Sequence, residues 1–181
     1  MQIAKLDIWA VWDTNAADAI CITTNGFVRR NGRAVMGRGC AAEAARKFPG
    51  IDRILGERIR RCGNRCQILI GQTADHPALV SFPVKPIRRR CVDPLREVVA
   101  HMVQKFAPGD TVPGWACKAD PRIVHRSALQ LCALSDRLGW KRVVLPRPGC
   151  GAGELSWSVV EQILQHVLDD RFVVVTRPSQ C

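Results

Sequence analysis

Tyrosine is absent from this chain of 181 residues, and aromatic side chains make up only 6% of it. Stacking the successive bases of a single strand takes a row of exposed rings, so a dedicated platform of that kind is excluded. No apolar run reaches the roughly eighteen residues of a membrane-spanning helix. Lys5, Asp7 and Asp13 place charge at the start of the chain where a secretory leader would be apolar. Neither a membrane partner nor export is expected. The nine cysteines are odd in number and include no CxxC pair; reduced thiols in a cytoplasmic protein are the simplest reading. Cys62 and Cys66 could form half of a zinc site, with Cys91 or Cys117 supplying the rest, but no histidine is suitably spaced. No metal and no other cofactor are expected. His76, His101, His125 and His166 are scattered, the last three within helical patterns, and spell no Ser-His-Asp arrangement. Internal repeats and low-complexity tracts are also missing.

What is present is an ordinary globular composition, 47% hydrophobic and 24% charged, in a chain of a length suited to one well-buried domain spanning 1–181. The formal net charge of +11 favours an anionic ligand or a polyanionic partner, nucleic acid among them, because a basic surface concentrates phosphates. Arginine gathers at Arg29-Arg30, between Arg58 and Arg65, and at Arg88-Arg89-Arg90.

Short runs rich in Val, Ile and Leu predict strands at Ile3–Trp9, Ala19–Thr24, Gln67–Gly71, Ala78–Phe82, Arg142–Leu145 and Phe172–Thr176. Continuous apolar runs of this length suit strands covered on both faces. Between them, Val124, Ala128, Leu131, Leu134 and Leu138 recur at helical spacing up to a stop at Gly139. Val160, Ile163, Leu164 and Val167 repeat the pattern behind a capping box of Ser158 and Glu161. The alternation predicts a layered α/β fold with a mixed or mostly parallel sheet, whose ligands sit beyond the carboxyl ends of the strands. Residues 86–121 exceed a minimal design of this type. They hold the arginine triplet, a predicted helix from Pro94 to Phe106 and a loop from Ala107 to Ala119, and are read as an insertion.

Two glycine-rich loops follow strand patterns and open helices: Val35-Met36-Gly37-Arg38-Gly39 and Arg147-Pro148-Gly149-Cys150-Gly151-Ala152-Gly153. Glycine permits close backbone approach to a ligand, and helix N-termini present free N–H groups to anions. Each loop fits either a diphosphate cradle or a plain strand-to-helix turn. Lys85 directly follows the strand pattern at Ala78–Phe82. It can neutralise phosphate, attack an electrophilic carbon if its amine is kept neutral, or simply lie solvated in a loop. Asn25 can meet a ribose hydroxyl or serve the Asn25-Gly26 turn; Asp7, placed in the first strand, can accept from an exocyclic amine or pair with an arginine.

Taken in order, Thr24-Asn25-Gly26, Val35-Met36-Gly37-Arg38-Gly39, Ser81-Phe82-Pro83-Val84-Lys85 and Leu145-Pro146-Arg147-Pro148-Gly149-Cys150-Gly151 with Leu155-Ser156-Trp157 resemble a macro domain. This family is the ADP-ribose-binding three-layer α/β/α module with a mixed central sheet. The similarity is to the branch of DNA ADP-ribosyl glycohydrolase antitoxins and terminal ADP-ribose glycohydrolases. The resemblance implies ADP-ribose, or an ADP-ribosylated macromolecule, as partner. It puts Asp7 and Ile8 near adenine and Asn25 near the distal ribose. It sets the Met36 to Gly39 and Gly149 to Gly153 loops, Cys150 and Ala152 included, around the diphosphate and that ribose. Lys85 takes the position of a nucleophile that attacks the anomeric carbon and releases the modified base or side chain. Two departures stand out. Gly151-Ala152-Gly153-Glu154 replaces the antitoxins' Gly-Asn-Gly-Gly, bringing a carboxylate toward the diphosphate, and Gly153 occupies the position of the aspartate that assists the lysine. A hydrolase of ADP-ribosyl groups on DNA or protein, a non-catalytic reader of ADP-ribose, and a basic nucleic-acid-binding protein with a vestigial cleft are the readings this leaves. Residues 86–121 are expected to form a lid or a substrate-specific wall.

Overall fold

The computed structural model describes residues 1–176. Its central sheet contains β1 (Gln2–Lys5), β2 (Ala19–Thr24), β3 (Gln67–Ile70), β4 (Ala78–Pro83), β7 (Val143–Pro146) and β8 (Phe172–Thr176). They lie in the order β1-β8-β7-β2-β4-β3. All neighbours run parallel except β3, which pairs antiparallel with β4. The sheet is mixed and mostly parallel, within what the alternation of strands and helices predicts.

The period-two alternation of strands decides which layer each side chain joins. Ala19 and Cys21 of β2, Val80 and Phe82 of β4, and Val143 and Leu145 of β7 face one core. There they pack on Val124, Ala128 and Leu131 of α5 (Pro121–Leu138) and on Val160 and Leu164 of α6 (Trp157–Gln165). Ile20, Ile22, Leu79 and Val144 face the opposite core. They meet α1 (Ile8–Asp13), α2 (Gly39–Lys47) and α3 (Ile51–Cys62). The result is a three-layer α/β/α arrangement. Gly139, at φ 68°, ends α5 in the left-handed conformation that glycine adopts without a Cβ penalty.

Four predictions differ. The strand expected over Ile3–Trp9 stops at Lys5, and α1 begins at Ile8 with Asp7 as its cap, the carboxylate accepting from the Trp9 N–H at 3.0 Å. Ile8, Val11 and Trp12 are the buried residues of that helix, an i, i+3, i+4 spacing that outweighs the strand reading. The cap of α6 is Ser156 and not Ser158, which lies inside the helix; the Ser158–Glu161 capping box is therefore not the start of this element.

The helix expected from Pro94 to Phe106 breaks into α4 (Pro94–Glu97) and a 3₁₀ helix at Ala100–Lys105. Val98 bridges Cys117, and the Val99 N–H donates to the Ala116 carbonyl at 3.0 Å, so tertiary pairing pulls both valines out of helical geometry. The loop expected from 107 to 119 contains β6 (Thr111–Pro113), antiparallel to β5 (Arg88–Arg90). Cys91, Val98, Val99, Met102, Val112, Ala116 and Cys117 give this segment a small core of its own. It is tied back through Asp120, which caps α5, is buried, and pairs with Arg89 and Arg122. Burial pushes the Asp120 carboxyl up, but the hydrogen bonds from Arg122 and the charges of both arginines outweigh it and hold the group below its usual range.

Candidate functional site

Because β7, β2 and β4 are parallel neighbours, their carboxyl ends share one edge of the sheet. The loop after β2, Lys85 after β4 and the loop after β7 therefore converge. They line a cleft of about 490 Å³, inside the range of roughly 300–1,000 Å³ common for small-ligand sites. Ile8, Asn25, Gly37, Arg38, Gly39, Lys85, Gly149, Gly151, Ala152 and Gly153 all face it.

Three other candidate residues lie outside the lining. Asp7 is occupied in capping α1. Met36 is buried with α2 and α3 in the second core. Cys150 packs against the first core, its thiol donating to the Pro148 carbonyl at 3.7 Å and pushed up in pKa by burial. Of the cysteines weighed for zinc, Cys62 is exposed, Cys66 is buried and donates to Ser127 O, and Cys91 and Cys117 belong to the small core.

Lys85 is buried, with 7% of its surface exposed, which overturns the solvated-loop reading. Its Nζ donates to Ala152 O at 2.8 Å and Trp115 O at 3.4 Å, and it makes no salt bridge among the described residues. Burial lowers its pKa from 10.5 to about 8; Arg38 pushes the same way and Glu154 opposes. A neutral amine has two hydrogens and one lone pair. With two carbonyls taking the hydrogens, the third position of the nitrogen is left for the lone pair.

The first glycine loop leads into α2, whose N-cap, Arg38, makes no side-chain capping bond. A Cβ added at Gly37 would meet nothing within 4 Å, so the backbone there is open to the cleft. Asn25 ties the loop down: its Nδ2 donates to Val35 O at 2.7 Å, and its Oδ1 accepts from the Phe27 N–H at 2.9 Å.

In the second loop Gly149, at φ 78°, is crowded by Ala119 and Leu155, and a Cβ at Gly153 would lie 2.5 Å from Gly149 O. Gly151 has open space. Glu154, the feared negative charge, is not part of the lining. Its carboxylate accepts from the Ala100 N–H at 2.8 Å and pairs with Lys118 at 3.3 Å. Burial would raise its pKa, but these two partners and Lys85 bring it below the usual value. At φ 60° Glu154 occupies the left-handed region, at a cost on the order of 1 kcal/mol set against those contacts.

Sequence reasoning missed several wall residues. Cys40 and Glu43 on α2, His101 on the 3₁₀ helix, Trp115, Arg147 and Val175 also line the cleft. The i, i+3 spacing of Cys40 and Glu43 from the helix start was a usable signal; no local pattern marks His101 or Trp115. Burial raises the pKa of the Cys40 thiol, so it offers no competing thiolate. Thr24 Oγ1 and Arg147 Nε are buried and have no hydrogen-bond partner among the described residues. Orphaned polar atoms beside a cleft suit a polar ligand. The Arg147 guanidinium stacks 4.5 Å over the Trp157 ring, which holds it in place.

No protein-family profile matches the sequence, and no curated protein does. Solved structures do. The macrodomain of Mycobacterium tuberculosis DarG superposes with a TM-score of 0.66 at 19% identity, over 98% of this chain and 97% of that one. The macrodomain of Thermus aquaticus DarG gives 0.67 at 20% identity over the same shares. This chain has the macrodomain fold. A third solved structure, Thermosipho africanus DarTG in complex with ADP-ribose, has a TM-score of 0.61 at 15% identity, covering 90% of this chain and 38% of that one. On the macrodomain frame the cleft lies at the carboxyl ends of the central strands. Among the described residues no helix is long and apolar enough to cross a membrane.

Proposed function

We propose that this macrodomain binds ADP-ribose in the cleft and removes ADP-ribosyl groups from a macromolecule, with Lys85 as nucleophile. The observation that carries this reading is a buried lysine without a carboxylate partner among the described residues, held by two carbonyls between two glycine loops. The likeness to DarG macrodomains, and to a DarTG structure holding ADP-ribose, supports the ligand. In the step proposed, the Nζ lone pair forms a bond to the anomeric carbon of the distal ribose. The glycosidic bond breaks, and the leaving group takes its electron pair and a proton. Water then hydrolyses the lysine adduct.

An exposed basic face on α3 and the 29–33 loop supports nucleic acid as the macromolecule. Arg60 donates to Arg29 O and Arg30 O, and Arg126 donates to Asn64 O. Asn64 in turn donates to Lys85 O at 2.9 Å. Arg60 thus ties α3 to the 29–33 loop, and Asn64 links Arg126 of α5 to the backbone of Lys85. Replacing Arg61 and Arg65 together by glutamate is expected to raise KM on ADP-ribosylated DNA several-fold. The slope of log affinity against log salt should fall by about two, while affinity for free ADP-ribose stays unchanged by calorimetry.

The deciding experiment is a calorimetric titration with ADP-ribose followed by release assays on ADP-ribosylated DNA and protein in parallel. Saturable binding with release from either supports the hydrolase. Binding without release from any substrate establishes the second reading, a non-catalytic reader, which the crowding at Gly153 favours because no assisting aspartate fits there. Salt-sensitive DNA binding with no response to ADP-ribose would instead mark the cleft as vestigial. In the proposal, residues 86–121 are an insertion that walls the site.

A further inference from the structure

Trp115 is a large aromatic side chain left 36% exposed on a tightly built turn. The Ala116 N–H donates to Pro113 O at 2.9 Å, and the Gly114 N–H donates to Ile87 O at 2.9 Å. A Cβ at Gly114 would fall 1.8 Å from Pro86 O, so the turn is seated flush on the chain leaving β4. Ala116 and Cys117, next along, are fully buried. Burial of the turn did not bury the indole. Trp115 lines the cleft, and its carbonyl accepts from the Lys85 amine.

The second glycine loop and this turn are also fixed to each other. Lys85 Nζ bridges Ala152 O and Trp115 O, Glu154 reaches the Ala100 N–H and Lys118, and the Ala119 N–H donates to Gly153 O at 2.9 Å. On the proposed reading, a distal ribose held against the loop presents its anomeric carbon to Nζ, and Trp115 lies on the same wall of the cleft. A partly exposed tryptophan on the wall of a cleft is suited to a flat, unsaturated ring and gives little to a flexible carboxylate chain.

We infer that Trp115 is a specificity-determining residue that stacks on a planar heterocycle attached to the distal ribose. Within the proposed reaction, that contact is what separates ADP-ribose linked to a nucleobase from ADP-ribose linked to an acidic side chain. This inference rests on the ADP-ribose reading of the cleft, and its test separates the two.

Calorimetry on the Lys85→Ala protein, in which ligands are not consumed, compares ADP-ribose, an ADP-ribosylated nucleoside and an ADP-ribosylated glutamate. The mononucleoside keeps the basic face out of the measurement. The nucleoside adduct is expected to bind roughly tenfold more tightly than ADP-ribose and to quench indole fluorescence, with no such gain for the glutamate adduct. Adding Trp115→Ala should bring the nucleoside adduct down to the affinity that ADP-ribose shows on the same variant. Trp115→Phe should retain most of the gain, and Trp115→Leu, which keeps bulk without a flat ring, should lose it. Equal affinity for the three ligands, or a gain that survives in the leucine variant, overturns the role of Trp115 while leaving the cleft's ligand intact. Failure of the wild-type protein to bind ADP-ribose overturns the reading beneath it.

Discussion

Lys85→Ala is expected to abolish release of ADP-ribose from modified substrate while leaving affinity for free ADP-ribose within about tenfold. The amine is small beside the surface offered by two glycine loops, so its loss removes chemistry before it removes binding. The pH profile should carry its signature. With a pKa of about 8, roughly one amine in ten is neutral at pH 7. The rate should climb nearly tenfold per pH unit below that point and level off above it. Stability moves with it. Between about 8 and 10.5 the unfolded chain holds a proton that the folded lysine has released, so stability rises with pH across that window. Lys85→Met should remove that rise and melt no lower than wild type at pH 7, where the buried charge is disfavoured. A methionine variant that turns over at more than a few per cent of the wild-type rate would refute nucleophilic catalysis. An alanine variant that loses ADP-ribose binding outright would show a structural role instead.

Gly153→Asp, which supplies the aspartate of the terminal glycohydrolases at the matching position, should damage the protein and not improve it. The added Cβ would stand 2.5 Å from Gly149 O and 2.7 Å from Ala119 Cβ. Neither neighbour can yield easily: Gly149 O accepts from the Leu155 N–H, and the Ala119 N–H is bonded to Gly153 O. Overpacking of this kind costs about 1–3 kcal/mol, read as a fall in Tm of roughly 3–10 °C for a domain of this size. ADP-ribose affinity should drop at least tenfold as the loop shifts. Gly151→Ala is the matched control. Its Cβ meets nothing within 4 Å, so the melting temperature should hold and only ligand affinity should fall. Faster turnover in the aspartate variant would mean that the loop is far more yielding than its contacts imply.

These two positions also mark how far the sequence can be read. The place of Lys85 beside two glycine loops was legible, since apolar runs fix strand ends, and parallel strands bring those ends to one edge. Its burial was not, because the atoms enclosing it come from Trp115 and Ala152, remote in sequence. Val98 and Val99 carry helix-compatible spacing and are nevertheless extended, since pairing with Ala116 and Cys117 exists only once the segment has folded back. Asp7 was misplaced for a local reason. The stretch from Ile3 to Trp9 reads as strand until the buried set of Ile8, Val11 and Trp12 is weighed at helical spacing. The crowding at Gly149 and Gly153 has no local mark, because Ala119 supplies much of it.

The carboxylate of Glu154 belongs by sequence to the phosphate loop and by its contacts to Ala100 and Lys118. Residues 86–121 are therefore not a cassette that can be exchanged between macrodomains by splicing at its ends. A graft that carries the segment into a host with glycine at the position of Glu154 leaves Lys118 and the Ala100 N–H without their acceptor, and the transplanted wall without its hinge pin. The heritable unit of this site is the segment together with one residue more than thirty positions downstream.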